Sequence, residues 1–206
     1  MHPAGKIVLI TGASSGIGAA AAHTFASAGA RLVLAARSAD ALHTLAAQLP
    51  GQPLVVPTDM ASARQVQAMI RCVIAERGQL DILINNAGIG LTGMIAAMHP
   101  DDWQRVLAVD LFGPLYAIQA AVPYMRQRQR GQIINVSSVL AVQPLPGVGG
   151  YAAAKAALES MSAALRMELL PSGIAVTIVR PGRTRTAFAA RRLGRGRERW
   201  RPRGVP

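Results

Sequence analysis

Tyr151 and Lys155 stand four residues apart in the run Tyr-Ala-Ala-Ala-Lys, a string of strong helix formers that places both on one helix face. A phenol and an ammonium on one face can perform acid–base chemistry. The phenol ordinarily titrates near pH ~10, and a neighbouring positive charge favours its ionised form. Lowering it by about three units requires roughly 4 kcal/mol of differential stabilisation, within reach of one ammonium in a poorly hydrated pocket. The chain has 3 Tyr and only two lysines, Lys6 and Lys155. Such a pair would arise by chance at a frequency of roughly 0.03. Arginine serves almost everywhere else, so the lysine at 155 points to a need for a compact ammonium with three donors. Ser138, 13 residues earlier, offers a hydroxyl to an oxygen that gains charge.

A second constellation binds anions. The segment Thr11-Gly12-Ala13-Ser14-Ser15-Gly16-Ile17-Gly18 follows a short apolar run and reads G-x-x-x-G-x-G. Its glycines allow a tight turn and let a pyrophosphate approach a helix N-terminus, while Ser14 and Ser15 add hydroxyl donors. The second apolar run ends Ala35-Ala36-Arg37-Ser38. An acid there would bind a ribose 2′-hydroxyl, whereas the guanidinium of Arg37 suits a 2′-phosphate and indicates NADP over NAD.

The elements that must hold these residues alternate. Strand-like runs fall at 6–10, 31–36, 53–57, 80–85, 132–137 and 174–180. Helical patterns occupy 16–28, 40–49, 62–77, 101–130 and 151–170. The fourth of these is long enough to bend near Gly113-Pro114. Strands alternating with helices predict right-handed crossovers and an α/β fold, a doubly wound parallel sheet of six strands. Ligands in such sheets bind beyond the carboxyl ends of the strands.

Composition narrows the class. A 206-residue chain with 51% hydrophobic residues supports one domain with an aliphatic core. One cysteine excludes an intramolecular disulfide, and the four scattered histidines lack metal-ligand spacing. No uninterrupted apolar run reaches membrane-span length, so a soluble cytoplasmic protein is expected. The net charge of +12 is concentrated in residues 180–206, where ten arginines face one acid, Glu198. Residues 187–206 read as a disordered basic tail, with polyanion binding as a lesser alternative and nucleic acid not favoured.

Taken together, these motifs resemble the short-chain dehydrogenase/reductase family from about residue 5 to residue 186. The nucleotide loop matches residues 11–18, including Gly12, Gly16, Ile17 and Gly18. Asp59 and Met60 match the acidic position beside the adenine. Asn85-Asn86-Ala87-Gly88 matches the segment after the fourth strand. Ser138, Tyr151 and Lys155 match the reacting group, and Pro181-Gly182, followed by Thr184 and Thr186, the segment after the sixth strand. The resemblance implies a Rossmann fold and hydride transfer between a nicotinamide cofactor and a carbonyl/secondary-alcohol pair. It also implies a lysine that holds the nicotinamide ribose, and oligomers built through the helices at 101–130 and 151–170.

Two departures stand out. Val109-Asp110-Leu111-Phe112-Gly113 carries Asp110 where the family usually has an asparagine that supports a helix irregularity and a lysine-linked water. An aspartate supplies no amide donors and, when ionised, adds negative charge near Lys155. The expectation is reduced but nonzero activity. Beyond Thr186 the family's substrate lid and seventh strand are not recognisable, so a truncated domain ending at 186 is expected, with the sixth strand as an exposed edge.

Overall fold

Strand β1 (Ile7–Thr11) is buried along its whole length, as an apolar run between two helical layers must be. Its side chains alternate between the layers. Ile7 and Leu9 pack with Met69, Ile70 and Val73, whereas Val8 and Ile10 pack with Ala22, Ala26, Leu42 and Leu45. The computed structural model describes residues 2–194. After β1 the chain builds α1 (Gly16–Ser27), β2 (Arg31–Ala36), α2 (Ala39–Ala46), β3 (Leu54–Pro57), α3 (Ala63–Arg77) and β4 (Ile82–Asn85). It continues through α4 (Pro100–Leu107), α5 (Gly113–Gln127), β5 (Gly131–Val136), α6 (Gly149–Leu169) and β6 (Ile174–Val179).

The sheet order is β3-β2-β1-β4-β5-β6, and every pair is parallel. This is the expected doubly wound sheet of six strands. The strand order reverses between β1 and β4, so the carboxyl ends of those two strands open the crevice where ligands bind in such sheets. Helices α3 and α5 cover one face, with Ala117, Ala121 and Met125 of α5 buried there. Helices α1 and α2 cover β1 to β3 on the other. The continuous helical stretch Pro100–Gln127 has the length and apolar composition to cross a membrane. Ala117, Ile118, Ala121 and Met125 are nevertheless buried against the core, as in a central helix of a globular domain.

The structure refines two expectations. The irregularity in the 101–130 stretch lies directly before Gly113-Pro114, near which it was expected. It is a wide π-type turn over Ala108–Phe112, between α4 and α5. Pro114 follows this wide turn at the start of α5, inside the continuous stretch Pro100–Gln127, and supplies no backbone N–H to it. The wide turn carries Asp110 into the interior, fully buried. The second correction concerns the tail, expected to be disordered from residue 187. Residues Ala187–Arg191 form a 3₁₀ turn, and Leu193 makes a parallel bridge with Leu91. The cause is local: Thr186 Oγ1 accepts a hydrogen bond from Phe188 N, and Phe188 and Leu193 pack on a small core of Leu91, Val106, Tyr151 and Ala154. Residues 195–206 of that expectation lie outside the described residues.

Candidate active site

Helix α6 starts beneath the carboxyl end of β5 and brings Tyr151 and Lys155 to it. Lys155 is 3% exposed and Tyr151 is 9% exposed. The Lys155 Nζ donates to the Val136 carbonyl at 3.0 Å and stands 5.7 Å from the centre of the Tyr151 ring. Ser138 begins the 3₁₀ turn Val139–Ala141, where its Oγ accepts from Leu140 N at 3.2 Å. The same hydroxyl favours the ionised form of the Tyr151 phenol. Ser138 therefore caps a turn and faces the phenol at once. The structure thus places Ser138, Tyr151 and Lys155 close together.

Asp110 completes the group from the other side. Its Oδ1 accepts from Ile89 N at 2.8 Å, and its Oδ2 lies 3.2 Å from Lys155 Nζ. Gly88 admits this pair, because a Cβ there would lie 2.9 Å from Asp110 Oδ2. Burial pushes the Asp110 carboxyl above the usual carboxylate range, against the pull of Lys155. Burial also disfavours the Lys155 ammonium, but the negative charge of Asp110 more than offsets that and holds Lys155 cationic above its ordinary value.

The Tyr151 phenol departs from the expected direction. Burial raises it, Lys155 lowers it, Asp110 raises it again, and Ser138 and Arg192 lower it. The net result lies above the ordinary phenol value. The lysine acts in the sense anticipated from its spacing, but desolvation and the extra carboxylate outweigh it.

The glycine loop folds against the end of β4. Thr11 Oγ1 accepts from Asn86 N at 3.0 Å and Ala87 N at 3.1 Å, while Asn86 Nδ2 donates to the Thr11 carbonyl at 2.9 Å. A Cβ at Gly12 would lie 2.7 Å from Ala87 Cα, so only glycine permits this approach. The Thr11–Asn86 clamp is a functional detail that the motif reading passed over. Ser15 precedes α1 in extended backbone and makes no side-chain cap, so its first-turn N–H groups are available to an anion. Gly16, Ile17, Gly18 and Ser14 surround that opening. Arg37 is exposed just beyond β2. Asp59 already accepts from Ala61 N at 3.0 Å and pairs with Arg105 at 3.2 Å. These contacts, with further pull from Arg37, offset burial and hold its carboxyl below the usual range. Met60 is buried, its carbonyl against Gly113. A loop of free N–H groups at the N-terminus of α1 fits the pyrophosphate of a dinucleotide. Pro181, Gly182 and Thr184 follow β6. The Pro181 carbonyl accepts from Val139 N at 3.3 Å, and Thr184 Oγ1 donates to the Gly182 carbonyl at 3.1 Å.

The segment after Thr186 lies against Tyr151, with the Phe188 ring 5.6 Å from the Tyr151 ring. Leu193 N donates to the Gly90 carbonyl at 2.8 Å, and Thr92 N donates to the Leu193 carbonyl at 3.1 Å. Behind this ladder is a cavity lined by Thr92, Met94, Met98, His99, Asp102 and Gly194. Phe188 and Leu193 were missed because an arginine-rich stretch reads as solvated. Two apolar residues among the arginines were the available signal.

A doubly wound sheet with an anion-binding loop and a buried serine–tyrosine–lysine group defines a dinucleotide-dependent oxidoreductase architecture. Comparison with known proteins makes the assignment specific. The model of the family described as short chain dehydrogenase matches residues 6–194. The chain is 36% identical over 200 residues to the dehydrogenase/reductase SDR family protein 7-like of Anopheles gambiae, covering 93% of this chain and 63% of that protein. A metagenomic short-chain oxidoreductase solved in complex with NADP aligns with a TM-score of 0.84 and 34% identity, over 89% of this chain and 85% of that one. A short-chain dehydrogenase/reductase from Burkholderia phymatum, solved in complex with NAD, aligns with a TM-score of 0.90 and 30% identity, over 98% of this chain and 75% of that one. The chain belongs to the short-chain dehydrogenase family of oxidoreductases.

Proposed function

We propose that the chain is an NADP-preferring oxidoreductase acting on a carbonyl/secondary-alcohol pair. The observation that carries this reading is the buried cluster of Ser138, Tyr151 and Lys155 beside the anion-binding loop of β1. The cofactor, when bound, supplies or accepts the hydride. Tyr151 gives its hydroxyl proton to the substrate oxygen as the carbonyl becomes an alcohol. A phenol held above its ordinary value is fully protonated at neutral pH, which suits this donor role. Ser138 donates a hydrogen bond to the same oxygen as charge develops on it. Lys155 spends one donor on Val136 and directs another at Asp110, leaving a third for a ribose hydroxyl.

Around these, Gly12, Ser14, Ser15, Gly16, Ile17 and Gly18 hold the pyrophosphate, and Arg37 takes the 2′-phosphate. Asp59 and Met60 lie on the adenine side. Asn86, Ala87 and Gly88 flank the ribose, while Pro181, Gly182 and Thr184 flank the nicotinamide end. The NADP-bound metagenomic relative supports the cofactor class. A cytoplasmic location and a homo-oligomer formed through the 101–130 and 151–170 helices belong to the same reading. Exposed Phe112 and Met167 support the oligomer.

A second reading has its own observation. The direct Asp110–Lys155 pair favours a protein that binds cofactor but turns over slowly. One experiment tests both: hydride turnover on a panel of ketones and secondary alcohols with NADP(H) and NAD(H), for the native chain and Tyr151→Phe. Native turnover that Tyr151→Phe abolishes while cofactor binding persists supports the leading reading. Cofactor binding with no turnover on any substrate supports the second.

A further inference from the structure

The short strip Thr186–Gly194 is fixed at both ends over the reacting group. At one end Thr186 lies against Gly16 in the anion loop, where a Cβ on Gly16 would meet the Thr186 methyl at 3.2 Å. At the other, Leu193 is held between Gly90 and Thr92, its carbonyl accepting both from Thr92 N and from Thr92 Oγ1 at 3.1 Å. Arg192 stands immediately before this anchor. Its stem crosses Gly90 closely: a Cβ there would lie 2.6 Å from Arg192 Cγ and 3.2 Å from Phe188 Cε1. Gly90 thus opens the space that Arg192 and Phe188 share. Phe188 itself is on the Tyr151 ring, so the guanidinium stem is one side chain away from the reacting phenol.

Among the described residues the charge of Arg192 is not used in an ion pair. The ion pairs among the described residues join His99 to Asp101, Arg105 to Asp59, Arg128 to Asp81, Lys155 to Asp110 and Arg180 to Glu159, and none uses Arg192. Its field does reach the Tyr151 hydroxyl, where it favours the ionised form. A half-buried cation with no acid paired to it among the described residues, beside the group that protonates a substrate oxygen, is poised to receive an anion carried by the substrate. Its planar fork matches a carboxylate in a two-point pairing.

We propose that Arg192 is a specificity-determining residue that selects carbonyl substrates bearing a carboxylate close to the reacting carbon, in the manner of a 2-oxo acid. The inference rests on the hydride-transfer reading of the Tyr151 site. In that reaction the C=O π bond breaks, the carbon gains a hydride from the reduced nicotinamide, which is thereby oxidised, and the oxygen gains the Tyr151 proton. The carboxylate is unchanged and serves only to hold the substrate.

The test compares a 2-oxo acid of medium chain length with its ethyl ester, using the full chain, Arg192→Met and Arg192→Lys. Binding is measured by calorimetry in the presence of NADP, with thermal melts confirming that each variant is folded. The native chain should bind the acid at least about tenfold more tightly than the ester, as expected for a charge-assisted pair. Arg192→Met should bring that ratio near unity, and Arg192→Lys should leave it between the two. Equal binding of acid and ester by the native chain, or an undiminished ratio in folded Arg192→Met, overturns the proposal. This readout does not require turnover. Failure to reduce any neutral ketone would count against the hydride-transfer reading, whereas failure to prefer the acid counts against Arg192.

Discussion

At the scale of single residues, Asp110 is the position where this chain can be made to reveal its mechanism. Its charge raises the Tyr151 phenol, and its Oδ1 holds Ile89 N. Asparagine keeps an oxygen for Ile89 and removes the charge. In Asp110→Asn the Tyr151 phenol should therefore titrate lower than in the native chain. Alcohol oxidation needs the phenolate, so the rising limb of its pH–rate profile should move to lower pH and the rate at neutral pH should rise. A profile identical to the native one would remove Asp110 from the mechanism. Asp110→Ala should not reproduce the gain, because it orphans the Ile89 N–H at the end of the crevice. Tyr151, Lys155 and Ser138 were legible because their roles are written in spacing along one helix and one strand end. The charge of Asp110 near Lys155 was legible too. The net direction of the Tyr151 shift was not, since it depends on how deeply the phenol is buried.

At the scale of elements, buried polar side chains set the register of the layers that carry the site. Asp81, fully buried before β4, accepts from Ile7 N at 2.9 Å, from Gln79 Nε2 at 2.9 Å and from Arg128 at 2.7 Å. It ties the start of β1 and the end of α5 to β4. Burial works against its ionisation, but the Arg128 and Ile7 hydrogen bonds outweigh it and hold the carboxyl below the usual range. A lowered folded value stabilises the protein above the unfolded value near ~3.9, and this contribution disappears as pH falls through the folded value. Asp81→Asn should lose about 2–4 kcal/mol at neutral pH in urea unfolding. The gap between variant and native chain should close below about pH 4. If the gap stayed constant to pH 2, the carboxylate would not be its source. A second chain runs from Asn85 through Asn135 to Ser162, with 2.8 Å at each step, and joins β4 and β5 to α6. Strand and helix positions could be read from periodicity. These cross-ties could not, because an asparagine inside an apolar strand looks the same whether it is bonded or not. The wide turn at 108–112 was legible only in its neighbourhood: Gly113-Pro114 is a visible breaker beside it, while a π-type turn itself leaves no mark beyond a polar residue on a buried face.

At the scale of the whole molecule, β1, β2 and β5 with α6 bring the anion loop, Arg37 and the reacting group to one edge of the sheet. A cofactor bound there should stabilise the fold as a unit. At about a hundredfold excess over its dissociation constant, NADPH should raise the melting temperature by about 5–10 °C. NADH at the same concentration should raise it less, and Arg37→Ala should abolish the difference. Equal shifts from both cofactors in the native chain would remove the 2′-phosphate role of Arg37. The doubly wound order itself was legible from strand–helix alternation. The contribution of residues 187–194 was not, because packing on Tyr151 and Leu91 is a long-range event that a local charge count obscures.

That same strip has a thermodynamic consequence. One end rests on the glycine loop after β1, the middle on the tyrosine ring, and the far end on the strand exit at Leu91. Whatever a phosphate-bearing ligand contributes to ordering this strip is work that a ligand at Tyr151 no longer has to do. Linkage makes the benefit reciprocal, so each ligand should tighten the other's binding by the same factor. The enzyme would then favour an ordered ternary assembly without a separate moving domain.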